Sequence, residues 1–279
     1  RLGADVTMVG KLGHDSNGEE MIRTCKEAGI CTDYILYDEK LPSGCSVIIL
    51  EEAPGKQTVN RIIVLSGSNM SITPEDVAFL KEQVAQYDLV VLQLEIPMEI
   101  NELVAQYAYE KGVPVMLNSA PSAPLSDELL SHLTYISPNE HEAYDMVGIK
   151  ISHSGREVNM EEAKAATEAL KAKGVKNVLI TLGEAGAVLD TEKDGFYYSP
   201  CVEGIMAVDP TAAGDSFVGA LSVGLCCGWG YEETLRFANH TAGLTVSAMG
   251  AMPSLPTLEK VEAFMKEKTG EAPDTSVLR

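Results

Sequence analysis

Asn177-Val178-Leu179-Ile180-Thr181-Leu182 is apolar except at its first and fifth positions. It follows the amphipathic stretch from Glu161 to Lys173 and runs into Gly183-Glu184-Ala185-Gly186. A strand that is apolar on both faces must be covered on both faces, as in a parallel sheet held between helical layers. The same alternation continues outward. Strands are expected from Val6 to Val9, Leu89 to Leu94, Val113 to Leu117 and Tyr135 to Ile136. Between them, helices are expected from Ser16 to Gly29, Met98 to Glu110, Asp127 to Leu133 and Glu140 to Met146. The first opens on a Ser16–Glu19 capping box, and Thr73-Pro74-Glu75-Asp76 is another helix start. Downstream, Met206-Ala207-Val208 reads as a strand end. Helices follow from Ala213 to Cys227, Tyr231 to Ala248 and Leu258 to Lys266, and the tail after Thr269 is expected to be disordered. The fold class is therefore α/β.

One region breaks the pattern. From Tyr34 to Leu65 the helical period disappears. There, Cys45 to Leu50 and Val59 to Val64 flank the turn-rich Ala53-Pro54-Gly55-Lys56, a β-hairpin by pattern. It is the one antiparallel insertion expected, over about residues 34–66, and suits a lid.

The chain has 279 residues and a net charge of −20. That charge argues against nucleic acid and anionic membranes, which need basic surface. With 45% hydrophobic and 22% charged residues the composition is that of a folded protein. No apolar run approaches the roughly 18 residues of a membrane helix. Six cysteines without a C-x-x-C pair, and no secretory leader pattern, point to the reduced cytoplasm.

The richest segment for chemistry is Asp209-Pro210-Thr211-Ala212-Ala213-Gly214-Asp215-Ser216-Phe217. Small residues at a helix start leave backbone N–H groups open to an anion, and the helix dipole favours negative charge there. Asp215, in the first turn, could take a proton from a substrate hydroxyl while those groups stabilise a transferring phosphoryl. An acid that merely stabilises a helix N-terminus is an equally good reading of the spacing. Asn139 and Glu142, three apart in Ser137-Pro138-Asn139-Glu140-His141-Glu142, are oxygen ligands that suit a hydrated Mg²⁺, or else an ordinary capping box. Thr181-Leu182-Gly183-Glu184-Ala185-Gly186 could lay a nucleotide against its backbone, or be a βα or hairpin turn. No G-x-x-x-x-G-K-[ST] or G-x-S-x-G occurs, which disfavours a P-loop enzyme and an α/β-hydrolase.

Together these segments resemble the ribokinase (PfkB) family of carbohydrate kinases. Asp209 to Asp215 is similar to its D-T-x-A/G-A-G-D signature, departing at Pro210. Asn139 to Glu142 is similar to its N-x-x-E, and Thr181 to Gly186 to its T-L-G-x-x-G. Gln93-Leu94-Glu95, Leu117-Asn118-Ser119-Ala120-Pro121 and Ser66-Gly67-Ser68-Asn69 resemble further stretches of its ribose-phosphorylating members. The likeness runs from Arg1 to about Met265.

The resemblance implies a three-layer sandwich over 1–279 with a mostly parallel sheet and a small β lid. It implies an ATP-dependent kinase acting on a sugar hydroxyl, ribose to ribose 5-phosphate first. Asp215 would be the base; the N–H groups of Ala212, Ala213 and Gly214 would form the anion hole. Asn139 would meet the nucleotide phosphates, and Glu142 would hold Mg²⁺ through water. Thr181, Leu182, Gly183, Glu184, Ala185, Gly186 and Asn239 would line the nucleoside, and Glu95 would bind the sugar. An activating K⁺ would take the Asp209 side chain, the carbonyls of Thr211, Thr245, Ala248 and Gly250, and Ser254. The family's first strand and its G-G-x-x-x-N-x-A sugar loop find no match after Arg1, so the chain is expected to begin inside its domain. A homodimer through the lid is expected. Kinases of deoxyribose, fructose or nucleosides, and a non-catalytic sugar or nucleotide sensor, are the alternatives.

Overall fold

The computed structural model describes residues 1–51 and 59–278, so the turn at Ala53 to Lys56 lies outside the described residues. They gather into two compact units, one of residues 4–83 and 95–104, the other of residues 1–3, 84–94 and 105 onward.

In the first unit, β1 (Thr7–Gly13) pairs in parallel with β2 (Cys31–Asp38) across α1 (Ser16–Glu27). The cap of α1 is Asp15, one residue before the expected Ser16 box: its Oδ1 accepts from the Gly18 N–H at 2.8 Å. Its Oδ2 also accepts the Ser43 N–H at 2.7 Å, a second bond that Ser16 could not make. The expected hairpin is present as β3 (Cys45–Glu51) and β4 (Val59–Leu65), running from Cys45 opposite Leu65 to Glu51 opposite Val59. Val47, Ile49, Ile62, Ile63, Val64 and Leu65 are each between 44% and 56% exposed, so neither face of this ladder is fully covered. The predicted helix start at Thr73-Pro74 opens α2 (Pro74–Val77), where Asp76 also accepts the Thr73 N–H at 2.9 Å, followed by α3 (Leu80–Gln83). Lys11 pairs with Asp76 at 2.8 Å, tying β1 to that start.

The second unit holds β5 (Val90–Gln93), β6 (Val115–Asn118), β7 (Tyr135–Ile136), β8 (His153–Ser154), β9 (Glu157–Val158), β10 (Asn177–Thr181), β11 (Ala187–Asp190) and β12 (Phe196–Ser199). Helix α4 (Met98–Glu110) starts in the first unit and ends in this one. The others are α5 (Asp127–His132), α6 (Glu140–Val147), α7 (Met160–Lys171), α8 (Ala213–Cys226), α9 (Tyr231–Val246) and α10 (Leu258–Thr269). Six strands form one sheet in the order β12-β11-β10-β7-β6-β5. Strands β5, β6, β7 and β10 run parallel; β11 pairs antiparallel to β10, and β12 antiparallel to β11.

Strand β10 is buried on both faces, as its pattern requires. Leu179, with Met116, Ala187 and Leu189, packs against Phe217 and Leu221 of α8, Phe237 of α9 and Met265 of α10. Strand alternation turns Val178 and Ile180 to the other face, where α6 and α7 bury Ala143, Ala163, Ala166 and Leu170 completely. Burying each Leu or Phe contributes roughly 1.5–3 kcal/mol, which fixes the strand ends that carry the motifs.

Three expectations are corrected. The hairpin β3–β4 is not the one antiparallel element, because the turn after β10 sends the chain straight back as β11. Met206 to Val208 is not a strand: the N–H groups of Val208 and Asp209 both donate to the Val246 carbonyl, at 2.7 and 3.1 Å, leaving no ladder to join. The tail is ordered by individual contacts that no periodicity announces. Thr275 is buried with its hydroxyl on Glu262, Trp229 donates to the Asp274 carbonyl at 3.1 Å, and Ala272 and Leu278 pack on the core. Trp229 itself packs edge-on to Phe237, the packing role its position suggests.

Candidate active site

Helix α8 begins in a strained way. Ala212, its N-cap, has φ 61°, the one non-glycine residue with positive φ among those described. A left-handed Ala costs roughly 1–2 kcal/mol and offers no side-chain cap. Ala213 donates its N–H to Pro210 at 3.2 Å and Ser216 to Ala212 at 2.9 Å. The N–H groups of Ala212, Gly214 and Asp215 find no acceptor among the described residues. Nothing stands within 4 Å of where a Gly214 Cβ would be, so an anion has room to approach. The Asp215 carboxylate likewise has no hydrogen-bond partner among the described residues. Solvent touches it, yet protein surrounds it at longer range, and this partial burial pushes its pKa above the ordinary aspartate value.

Asp209 is the opposite case. It is only 3% exposed, sealed by its immediate neighbours although little protein lies beyond them. The Thr211 hydroxyl and the N–H groups of Thr211 (2.9 Å) and Gly250 (2.8 Å) hold its pKa down. It is thus an ionised, enclosed carboxylate with no cationic side chain in contact among the described residues. The carbonyls of Thr211, Ala248 and Gly250 accept no hydrogen bond there, whereas the Thr245 carbonyl takes the Ala248 N–H at 3.2 Å. Ser254 donates its hydroxyl to Ala251 at 2.6 Å.

The other two motifs meet at adjacent strand ends. Asn139 and Thr181 form a parallel bridge just beyond β7 and β10, where α/β sheets place ligands. The capping box is real: Asn139 Oδ1 accepts from His141 and Glu142, both at 2.9 Å, and Glu142 Oε2 accepts from the Asn139 N–H at 2.8 Å. Glu142 is nevertheless buried, and burial pushes its pKa up. Among the described residues no three His, Cys, Asp or Glu side chains converge as a metal cluster.

The Thr181–Gly186 loop is the hairpin turn that spacing left open. Gly183 (φ 54°) faces empty space, while a Cβ on Gly186 (φ 100°) would collide with the Ser199 carbonyl. One glycine is thus open to its surroundings and the other is needed for packing. Asn239 is 4% exposed, and its Nδ2 is committed to the Ser199 carbonyl (3.0 Å), Ser199 Oγ (2.8 Å) and the Pro200 carbonyl (3.3 Å). Sequence reasoning missed two neighbours of this loop, Tyr198 and Cys201, which carry no motif signal. Leu182, Glu184 and Ala185 complete the turn, with the Ala185 N–H on the Leu182 carbonyl at 3.0 Å. Glu95 is exposed, beyond β5 in the first unit. A cavity of about 400 Å³ lined by Pro124, Leu130, Met146, Leu170 and Lys173 shares none of these residues.

The model of the pfkB family carbohydrate kinases matches residues 1–258. The chain is 35% identical over 265 residues to the ribokinase of Schizosaccharomyces pombe, covering 94% of this chain and 80% of that protein. It is 36% identical over 266 residues to the ribokinase of Bacillus subtilis, covering 95% and 83%. Arabidopsis thaliana ribokinase, solved with ribose and ATP, superposes with a TM-score of 0.82 at 31% identity, over 94% of this chain and 82% of that one.

Proposed function

The chain belongs to the PfkB family of carbohydrate kinases, and on that premise we propose that it transfers the γ-phosphoryl group of ATP to ribose, giving ribose 5-phosphate. The observation that carries this reading is the start of α8: unclaimed N–H groups beside an unpartnered Asp215 carboxylate of raised pKa. Asp215 accepts the proton of the attacking hydroxyl, a role that contributes about 10²–10⁴ in rate. The N–H groups of Gly214 and Ala212 face the charge that grows on the phosphoryl oxygens; that of Ala213 first has to leave Pro210. Asn139, with Thr181 beside it, borders the nucleotide phosphates, and the open side of Gly183 receives the nucleoside. Asn239 holds the wall of that site, and Glu95 is assigned to the sugar.

Two ions fit the donors present. Glu142, which joins no metal-binding cluster among the described residues, suits Mg²⁺ held through water, and Mg²⁺ supplies neutralisation of the β- and γ-phosphate charge. Asp209 and the free carbonyls of Thr211, Ala248 and Gly250, with Thr245 and Ser254 beside them, suit K⁺, which supplies positive charge beside the anion hole. The half-exposed apolar residues of β3 and β4 support a homodimer through the hairpin. All six cysteines are free, which supports a cytoplasmic location.

The test is coupled ADP release with ribose, 2-deoxyribose, fructose and a nucleoside, in K⁺ and in Na⁺. Ribose is expected to give the highest kcat/KM, and K⁺ to raise it. A higher value for another acceptor would reassign the substrate. Ribose binding without ADP release would turn the reading to a sensor.

A further inference from the structure

The end of β12 and the residues just after it grip the Gly183–Gly186 turn from outside. The Tyr198 hydroxyl lies 2.9 Å from the Ala185 carbonyl and 3.2 Å from that of Arg156. The Cys201 thiol donates to the Gly183 carbonyl at 3.2 Å, the same carbonyl that accepts the Gly186 N–H at 3.2 Å. Burial pushes the thiol pKa up, so the proton it donates stays in place at neutral pH. The segment is itself anchored independently: Asn239 holds Ser199 and Pro200, and Arg156 donates to the Val202 carbonyl at 3.1 Å. Two of these contacts, from Tyr198 and Cys201, fall on the backbone of the turn itself, at the Ala185 and Gly183 carbonyls.

We propose that Cys201 and Tyr198 are positioning residues for the nucleotide, fixing the Gly183–Gly186 turn in the shape that receives ATP. This rests on the assignment of that turn to the nucleotide. Without the two side chains the turn keeps its own bond from the Gly186 N–H to the Gly183 carbonyl (3.2 Å) but loses its outside bracing, so its carbonyls become free to swing toward the ligand space.

The test uses Cys201→Ala, Cys201→Ser and Tyr198→Phe, all small changes in shape, with kcat and KM for ATP and for ribose, melting temperature, and calorimetric titration with ADP. Each lost hydrogen bond is expected to raise the KM for ATP and the Kd for ADP about 3- to 10-fold in Cys201→Ala and Tyr198→Phe. The kcat and the KM for ribose should stay within about twofold, and Cys201→Ser, which keeps a donor, should recover most of the ADP affinity. Unchanged ADP affinity in both variants overturns the proposal. So does a fall in kcat and melting temperature with a parallel rise in both KM values, which would mark a merely structural contact. A wild-type chain that binds ADP but phosphorylates no sugar would defeat the kinase reading while leaving the ADP titrations to judge the latch.

Discussion

Asp215→Asn isolates one charge at the α8 start. The carboxylate makes no hydrogen bond to the described residues, so the substitution removes a base without breaking an internal contact. General-base catalysis contributes about 10²–10⁴, so kcat should fall by that factor, or about 2.7–5.5 kcal/mol at 1.36 kcal/mol per decade. Stability should barely move. A carboxylate whose folded pKa is raised contributes favourably only at low pH, and that contribution is lost as pH rises through the folded value. At neutral pH its burial is therefore a cost that asparagine avoids. Against this, an acid in the first helical turn gains roughly 0.3–1 kcal/mol from the dipole. The two offset, and the melting temperature should stay within about 4 °C of the wild type. The same raised pKa places the acid limb of kcat/KM above the ordinary aspartate range, because the base must be unprotonated to work. ADP release with ribose and a thermal melt decide the matter. A variant with turnover within about tenfold of wild type would refute the base assignment; loss of activity together with a large fall in melting temperature would refute the claim that the carboxylate is structurally unpartnered.

Gly186→Ala must both adopt φ 100° and displace the Ser199 carbonyl, so it should weaken ADP binding and lower the melting temperature. Gly183→Ala meets only left-handed strain of about 1–2 kcal/mol, and equal melts for the two would contradict the division of labour drawn between these glycines. Asp209→Asn leaves one of the Thr211 and Gly250 N–H donors without its acceptor, a cost of about 1–3 kcal/mol at pH 7, and should abolish any difference between K⁺ and Na⁺ rates. Because the Asp209 pKa is depressed, its stabilisation is present above the ordinary aspartate pKa and fades as pH falls through the lower folded value, so the two melts should converge in acid. Ile63→Lys, at a position 53% exposed, should leave the melt unchanged and convert a dimer to a monomer in light scattering; an unchanged mass would remove the hairpin from the interface.

The sheet was readable because its residues obey periodicity: β10 and its neighbours are apolar on both faces, and β7 was located to the residue at Tyr135 and Ile136. The helix start at Thr73-Pro74 was readable because a cap is local chemistry. What escaped depended on partners distant in sequence. Asp15 displaced Ser16 as a cap through Ser43, and Val208 lost its strand to the end of α9. The tail gained order from Trp229 and Glu262. In the candidate site, motif spacing picked out Asn139, Thr181 and Asp215. It did not reveal that Asn239 spends its amide on Ser199 and Pro200, or that Tyr198 and Cys201 brace the turn.

The two acids of the Asp209–Asp215 segment show why spacing alone could not assign roles. As letters they are alike, six positions apart around a run of small residues. Asp209 is enclosed, receives two backbone N–H groups and a hydroxyl, and is held ionised below the usual range; a group so fixed suits a permanent negative charge that attracts a cation. Asp215 receives nothing and is partly desolvated, so its proton affinity is raised; a group so placed suits taking up a proton. Environments that drive paired acids apart in pKa separate their chemical tasks. Here the divergence follows from one backbone event: Ala212 turns left-handed after Thr211 and starts α8 without a side-chain cap. Asp209 stays on the loop side of that turn, among donors, and Asp215 on the helix side, beside N–H groups that no described residue satisfies. The strain at Ala212 is thus the structural origin of both the open N–H groups proposed as an anion hole and the contrast between the two carboxylates.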